Sequence, residues 1–312
     1  MSRWVELSFL LLLLLFSAVP VSSSSFAVYY GQLGNETLGE LGRFNLLILS
    51  PTVEPSYVSR LSREHTVVGY LSLATVGGWE PWAGDVPESI IIGKNPRWGE
   101  RVVDFSSSIW REVVLNRAIP YILSRGFNGV FLDNLDYVDV YPKKRNAMIE
   151  LIREIKERYP GIVIVANRGF SIKEEIAPYV DYFLFEDFVT YYNFSARRYE
   201  IFKGAELEWE LKQLEELQKL NVSVLALGYA NLSNERQVEK FGRIVCSYAK
   251  KYHVSGVYLA GISLQKVGVE PCQNSRLKGG GKSSNSGGKV GKVCGPGSIL
   301  LLTLILLWRR FL

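Results

Sequence analysis

Asp133, Asn134 and Asp136 follow directly on the apolar run 130–132, and Glu186 and Asp187 follow in the same way on the run 182–185. Carboxylates are costly to take out of water, so an apolar strand that ends in them holds them for pairing, metal binding or catalysis. Two such strand ends supply what glycoside cleavage needs. One carboxylic acid protonates the leaving oxygen, and one carboxylate serves as nucleophile or base. Asp133, on the shorter stem, suits the fixed nucleophile. Glu186 suits the acid, because Phe183, Phe185 and Phe188 beside it disfavour its charged form. Two strands apart in one sheet, the pair is separated by about 10 Å of backbone at ~4.8 Å per strand. Side chains can shorten that gap to either the retaining or the inverting spacing.

The elements that must position these groups are legible as eight apolar, β-branched or aromatic runs: 26–31, 45–50, 66–73, 129–132, 162–166, 182–185, 222–227 and 256–260. They are continuous rather than alternating, as parallel strands buried on both faces are. Helical patterns separate them. Residues 143–159 place Met148, Leu151, Ile152 and Ile155 on one stripe. Residues 208–220 do the same with Leu211, Leu214 and Leu217, carrying Glu208/Lys212 and Glu215/Lys219 at i,i+4. A third helix is expected over 110–124. Arg125-Gly126 and Pro160-Gly161 each stop a helix just before a strand. The fold class is therefore α/β, a single (β/α)8 TIM barrel of about 250 residues with a long Trp-rich loop after strand 3. An open doubly wound sheet is the competing arrangement, but no Gly-rich phosphate loop follows the first strand.

In such a barrel the chemistry sits at the C-terminal ends of the strands. In chain order these ends deliver Tyr30, then Tyr70 and Ser72, then Asp133, Asn134 and Asp136, then Asn167 and Arg168, then Glu186 and Asp187, then Tyr229. Asp133 and Glu186 are the expected catalytic pair and the others the expected substrate contacts. Asp187 is expected to point away from Glu186, as neighbours on a strand do. Trp79 and Trp82 in the long loop offer flat apolar faces to sugar rings, or else pack that loop onto the barrel. A purely structural alternative has Asp133 and Asp136 capping the next loop and pairing with Arg168. No metal or cofactor is expected, since the only histidines are His65 and His253, neither near a second soft ligand.

These residues carry a family resemblance. Gly69-Tyr70-Leu71-Ser72, the stretch Trp98-Gly99-Glu100-Arg101-Val102-Val103-Asp104, the element Gly126-Phe127-Asn128-Gly129-Val130-Phe131-Leu132-Asp133-Asn134-Leu135-Asp136 and a strand ending in Glu186 resemble the glycoside hydrolase family 114 barrels. That group is endo-α-1,4-polygalactosaminidase-like, and the likeness spans about residues 26–265. It implies a hydrolase of an amino-sugar polymer with Asp133 and Glu186 as catalytic pair. In one place the chain departs: where the family often has an acid and then an arginine, Ala74-Thr75-Val76-Gly77-Gly78 stands here. A carbohydrate-binding surface protein that kept the fold and lost turnover is the alternative.

The ends are read separately. Residues 1–24, with Arg3 ahead of a leucine run, are expected to be a secretory leader, leaving residues 25–272 as the barrel. Residues 273–293 are Gly/Ser/Lys-rich and suit a flexible tether. Residues 294–312 combine Cys294-Gly295-Pro296, a leucine-rich run and Arg309-Arg310, and resemble the CGP C-terminal sorting domain of archaeal surface proteins. That resemblance implies processing at the tail, with Cys294 the candidate for lipid attachment. An extracellular, membrane-anchored monomer acting on a polysaccharide is the expectation.

Of the formal charge of +5, seven positive charges lie from residue 273 onward with no acid, and the leader is neutral; subtracting seven leaves −2 for the barrel. A near-neutral domain has no electrostatic footprint for nucleic acid. Cys246 and Cys272 can form a disulfide in an oxidising compartment. Of the sequons at Asn35, Asn193, Asn221 and Asn231, Asn221 lies before strand 7, away from the catalytic face, and is the one expected to carry glycan.

Overall fold

The computed structural model describes residues 25–272. The expected leader (1–24), tether (273–293) and sorting segment (294–312) lie outside the described residues, among which no helix is long and apolar enough to cross a membrane.

Eight parallel strands follow one another around a single sheet: β1 (Phe26–Tyr29), β2 (Leu46–Leu49), β3 (Thr66–Ser72), β4 (Gly129–Asp133), β5 (Val163–Asn167), β6 (Tyr182–Glu186), β7 (Ser223–Tyr229) and β8 (Gly256–Ala260). The sheet curls until its edges meet. Phe26 packs on Tyr258 with ring centroids 5.6 Å apart, and the Tyr30 N–H donates to the Leu264 carbonyl at 2.8 Å. This nearly closed ring, with helices between the strands, is a (β/α)8 TIM barrel. Its strands are almost wholly buried because side chains facing inward fill the barrel and those facing outward meet the helices.

The differences from the sequence reading sit at the ends of elements. Strands β4, β5 and β6 each run one residue further than their apolar runs, so that Asp133, Asn167 and Glu186 are the last residues of regular strands. The helix expected over 208–220 spans Gly204–Gln218, and its buried residues are Glu210, Gln213, Leu214 and Leu217, with Leu211 only half-buried. Lys212 pairs with Glu216 at 3.9 Å instead of the expected Glu208. The long loop after β3 holds a small antiparallel sheet of Thr75–Val76, Ile91–Lys94 and Arg101–Val103. Its return is pinned by Trp110, fully buried, whose indole N–H donates to the Leu73 carbonyl at 2.9 Å. A second insertion follows β6, the hairpin Thr190–Asn193 with Arg198–Ile201.

Cys246, on the helix Glu235–Lys251, is disulfide-bonded to Cys272, with Cα atoms 5.3 Å apart. The bond ties the segment after β8 back to that helix. Closing a loop of 26 residues removes roughly 3–4 kcal/mol of denatured-chain entropy. Cys246→Ser is therefore expected to lower the unfolding free energy by about that amount, measured by denaturant titration on a fragment covering residues 25–272. Thiol counting on the same unsubstituted fragment should find no free thiol.

Candidate active site

At three successive strand ends the residue after the strand is left-handed: Asn134 (φ 62°) after β4, Arg168 (φ 56°) after β5 and Asp187 (φ 58°) after β6. A side chain at positive φ costs of order 1 kcal/mol, more for anything but Asn, Asp or Gly. Repeating it three times side by side marks a place where the backbone is turned sharply so that the preceding side chain stays in the mouth of the barrel. Those preceding residues are Asp133, Asn167 and Glu186.

Their hydrogen bonds form one line across the mouth. The Tyr70 hydroxyl donates to Asp133 Oδ2 at 2.9 Å, and Asn167 Nδ2 donates to Asp133 Oδ1 at 2.8 Å and to Glu186 Oε2 at 2.7 Å. The Tyr229 hydroxyl bonds Glu186 Oε1. One amide thus bridges two carboxylates, using both of its N–H groups. The accepting oxygens of Asp133 and Glu186 can be no further apart than the two arms laid end to end, 2.8 and 2.7 Å, or 5.5 Å. The trigonal geometry of the amide brings them to about 4.8 Å.

Burial sets the charges. Asp133 is 2 % exposed and Glu186 1 %. Burial, with the nearby charges of Asp187 and Asp133 added, holds the Glu186 carboxyl well above the usual carboxylate range, and the bonds from Asn167 and Tyr229 oppose this only in part. Burial likewise pushes Asp187 up to about 7, against the pull of Arg168 and Arg97. Tyr70 and Tyr229 are raised well above an ordinary tyrosine, by burial first and then by the carboxylates they face. They remain hydroxyl donors throughout the working range.

The other expected contacts divide. Tyr30 is buried edge-on to Tyr70, with ring centroids 5.7 Å apart. Asn134 commits its amide to Ser72 Oγ (2.9 Å) and Thr75 Oγ1 (3.1 Å), so Ser72 and Asn134 fasten β4 to the start of the long loop. Asp136 accepts from Arg168 Nε and from the Gly169 N–H, both at 3.0 Å, and Arg168 Nη1 donates to the Glu186 carbonyl at 2.8 Å. These two residues brace the turns after β5 and β6, which is the structural alternative for Asp136. Trp82 is 3 % exposed and lies against Tyr121, so its indole packs the loop and has no face left for a sugar. Trp79 is half-buried on Tyr70, with centroids 5.9 Å apart. Strand alternation does not extend to Asp187, because β6 stops at Glu186 and Asp187 stands in a left-handed turn, within the electrostatic reach of its neighbour.

Residues 55–275 match the model of glycoside-hydrolase family GH114. The chain belongs to this family. It is a glycoside hydrolase. Among solved structures it is similar to the glycoside hydrolase domain of PelA from Pseudomonas aeruginosa, at 22 % identity over 79 % of this chain and 98 % of that one, TM-score 0.68. It is also similar to Aspergillus fumigatus Ega3 in complex with galactosamine, at 14 % identity over 80 % and 95 %, TM-score 0.61. At these identities the likeness shows the fold alone. No curated protein matches the chain.

The GH114 hydrolase also buries acids that strand reasoning passed over. Glu100 accepts from Thr75 Oγ1 at 3.0 Å, and Glu80 is buried with its carboxyl raised by desolvation; both act electrostatically on Tyr70. They arrive on the long loop, downstream of the place where Ala74-Thr75-Val76 departs from the family pattern. The legible clue was an acid one or two residues after two of the three tryptophans of this loop: Trp79-Glu80 and Trp98-Gly99-Glu100.

Glu210 is a third such acid, 3.9 Å from Arg168 Nη2 and pushed up to about 8 by burial, with Arg168 only partly opposing. Its folded pKa exceeds its unfolded one, so folding takes up a proton between them. The stability it supports is present in acid and is lost as pH rises toward about 8. Glu210→Gln is expected to flatten the fall in Tm between pH 5 and pH 8.5, measured by thermal unfolding beside the parent protein.

Proposed function

We propose that this GH114 hydrolase cleaves an amino-sugar polysaccharide, with Asp133 as nucleophile and Glu186 as general acid, and with retention at the anomeric carbon. The observation that carries the reading is the single Asn167 amide spanning Asp133 and Glu186, which limits their accepting oxygens to 5.5 Å. Retaining glycosidases hold their carboxyls ~5–5.5 Å apart, and inverting ones leave ~6.5–9.5 Å for a water. Asp133, fixed by Tyr70 and Asn167, attacks the anomeric carbon as Glu186 protonates the departing oxygen. Glu186, then ionised, draws the proton from the water that releases the glycosyl ester. Its carboxyl is held up by burial beside two acids, which favours the protonated form that a general acid needs. The rate should accordingly fall on the alkaline side as Glu186 ionises.

The amino-sugar assignment is supported by the family and by the galactosamine bound to the similar Ega3. The sequence supports export and anchoring at the cell surface through residues 294–312. The test is reducing-end release from α-linked galactosamine polymers, with the anomer formed first read by proton NMR. Release of the α-anomer from an α-linked substrate supports the reading. Release of the β-anomer would exclude the double displacement, and absence of cleavage would exclude the substrate class.

A further inference from the structure

Asp187 is a buried acid just after the end of β6. It is 2 % exposed, and its Oδ1 has no hydrogen-bond partner among the described residues. Leaving a buried carboxylate oxygen unmet costs of order 1–3 kcal/mol, so such an oxygen at the mouth of a cleft is a feature that needs a reason. The neighbouring guanidinium of Arg168 does not fill the place. It is engaged by Asp136, by the Glu186 carbonyl and by the ring of Phe170, 4.6 Å away.

A second cation comes from a different part of the chain. Arg97 lies in the long loop after β3, in a tight turn where Asn95 Oδ1 accepts from the Arg97 N–H at 3.0 Å and Gly99 sits at φ 74°. That turn carries its guanidinium to within 4.8 Å of the ring of Phe194, on the hairpin after β6, and sets Trp98 edge-on to the same ring at 6.1 Å. Burial there disfavours the Arg97 charge, and Asp187 is the group that supports it. The Arg97 guanidinium thus meets the ring of Phe194 and the field of Asp187 at once, and charge together with a ring quadrupole is what recognises a desolvated cation. Asp187 directly follows Glu186, so a cation held there belongs to a group lying next to the scissile bond.

Building on the amino-sugar reading above, we propose that Asp187 and the face of Phe194 form a subsite for the free ammonium of one sugar unit, and that Arg97 holds this place while the cleft is empty. The subsite makes Asp187 a specificity-determining residue: an N-acetylated unit presents no charge to it. Arg97 becomes a built-in competitor that a cationic sugar must displace, swinging the 97–98 turn off Phe194 as it enters.

The experiment measures calorimetric binding of α-1,4-linked galactosamine oligosaccharides, free-amine and fully N-acetylated, to protein held inactive by Glu186→Gln. The expected result is a preference for the free amine that falls at least tenfold on adding Asp187→Asn. With Arg97→Gln instead, free-amine affinity rises severalfold while affinity for the N-acetylated oligomer stays put. An undiminished preference in the Asp187→Asn protein would overturn the proposal, and so would weaker free-amine binding in Arg97→Gln. Should Asp187→Asn fail to fold, the sign of the Arg97→Gln effect decides alone. Failure of the functional reading shows separately, as absence of cleavage by the unsubstituted protein.

Discussion

Asp133→Asn and Glu186→Gln each lower hydrolysis by roughly 10⁴-fold, while thermal unfolding stays within a few degrees of the parent. Two different losses produce this. The amide at 133 cannot form the glycosyl ester, and the amide at 186 can neither protonate the leaving oxygen nor take the proton of water in the second step. Fold is spared because the partners adapt. The Tyr70 and Tyr229 hydroxyls can each turn from donor to acceptor toward an amide NH₂, and the amide oxygen still receives the Asn167 N–H. The two variants are distinguished by substrate. An activated aryl glycoside, whose leaving group needs no proton, should regain much of its first-step rate with Glu186→Gln and none with Asp133→Asn. Equal behaviour on that substrate would reverse or erase the assignment of roles.

Gly129→Ala is expected to cost at least about 3 kcal/mol, the upper end of the overpacking range, or to prevent folding outright. A Cβ at 129 would lie 1.9 Å from the Val163 carbonyl oxygen and 2.7 Å from the Val163 backbone N and C. These are backbone atoms of the neighbouring strand, with no rotamer to escape into. Gly129 and Val163 are register partners, so the clash is relieved only by prising β4 from β5. That shift would also pull Asp133 from Asn167, four residues along at the other end of the same two strands. Activity should therefore drop further than the folded fraction does, as checked by comparing kcat with a denaturant midpoint on the same preparation. Unchanged midpoint and rate would mean that the strands part at no cost.

How far the sequence carried can be judged from particular residues. Asp133 and Glu186 were legible because each ends a run of apolar residues, and a carboxylate is too costly to sit there without use. Their bridge was not, since nothing local to Asn167 says that its amide will meet two carboxylates from strands on either side. Arg168 and Asp136 read as sugar contacts because their types suit sugars; that they also brace the turns after β5 and β6 could not be read from their types. Trp82 and Trp98 look alike in a loop rich in Gly and Pro, yet one is buried on Tyr121 and the other stands at the rim against Phe194. Glu210 was hidden by the leucine stripe beside it, because a helix pattern names the apolar face but not the buried acid at its edge.

By itself, then, the amino-acid sequence determined the barrel, its eight strands in order and the two strand ends that bear the acids. Those follow from hydrophobic continuity and helix periodicity, which are properties of neighbours along the chain. Only the tertiary structure decided the spacing of the acids, the left-handed turns that keep Asp187 beside Glu186, and the meeting of Arg97 with Phe194. Each of these depends on how strands and loops distant in sequence are placed across the barrel mouth. For the two acids and for Arg97 with Phe194 the distances are a few ångströms, while the sequence separations are 53 and 97 residues.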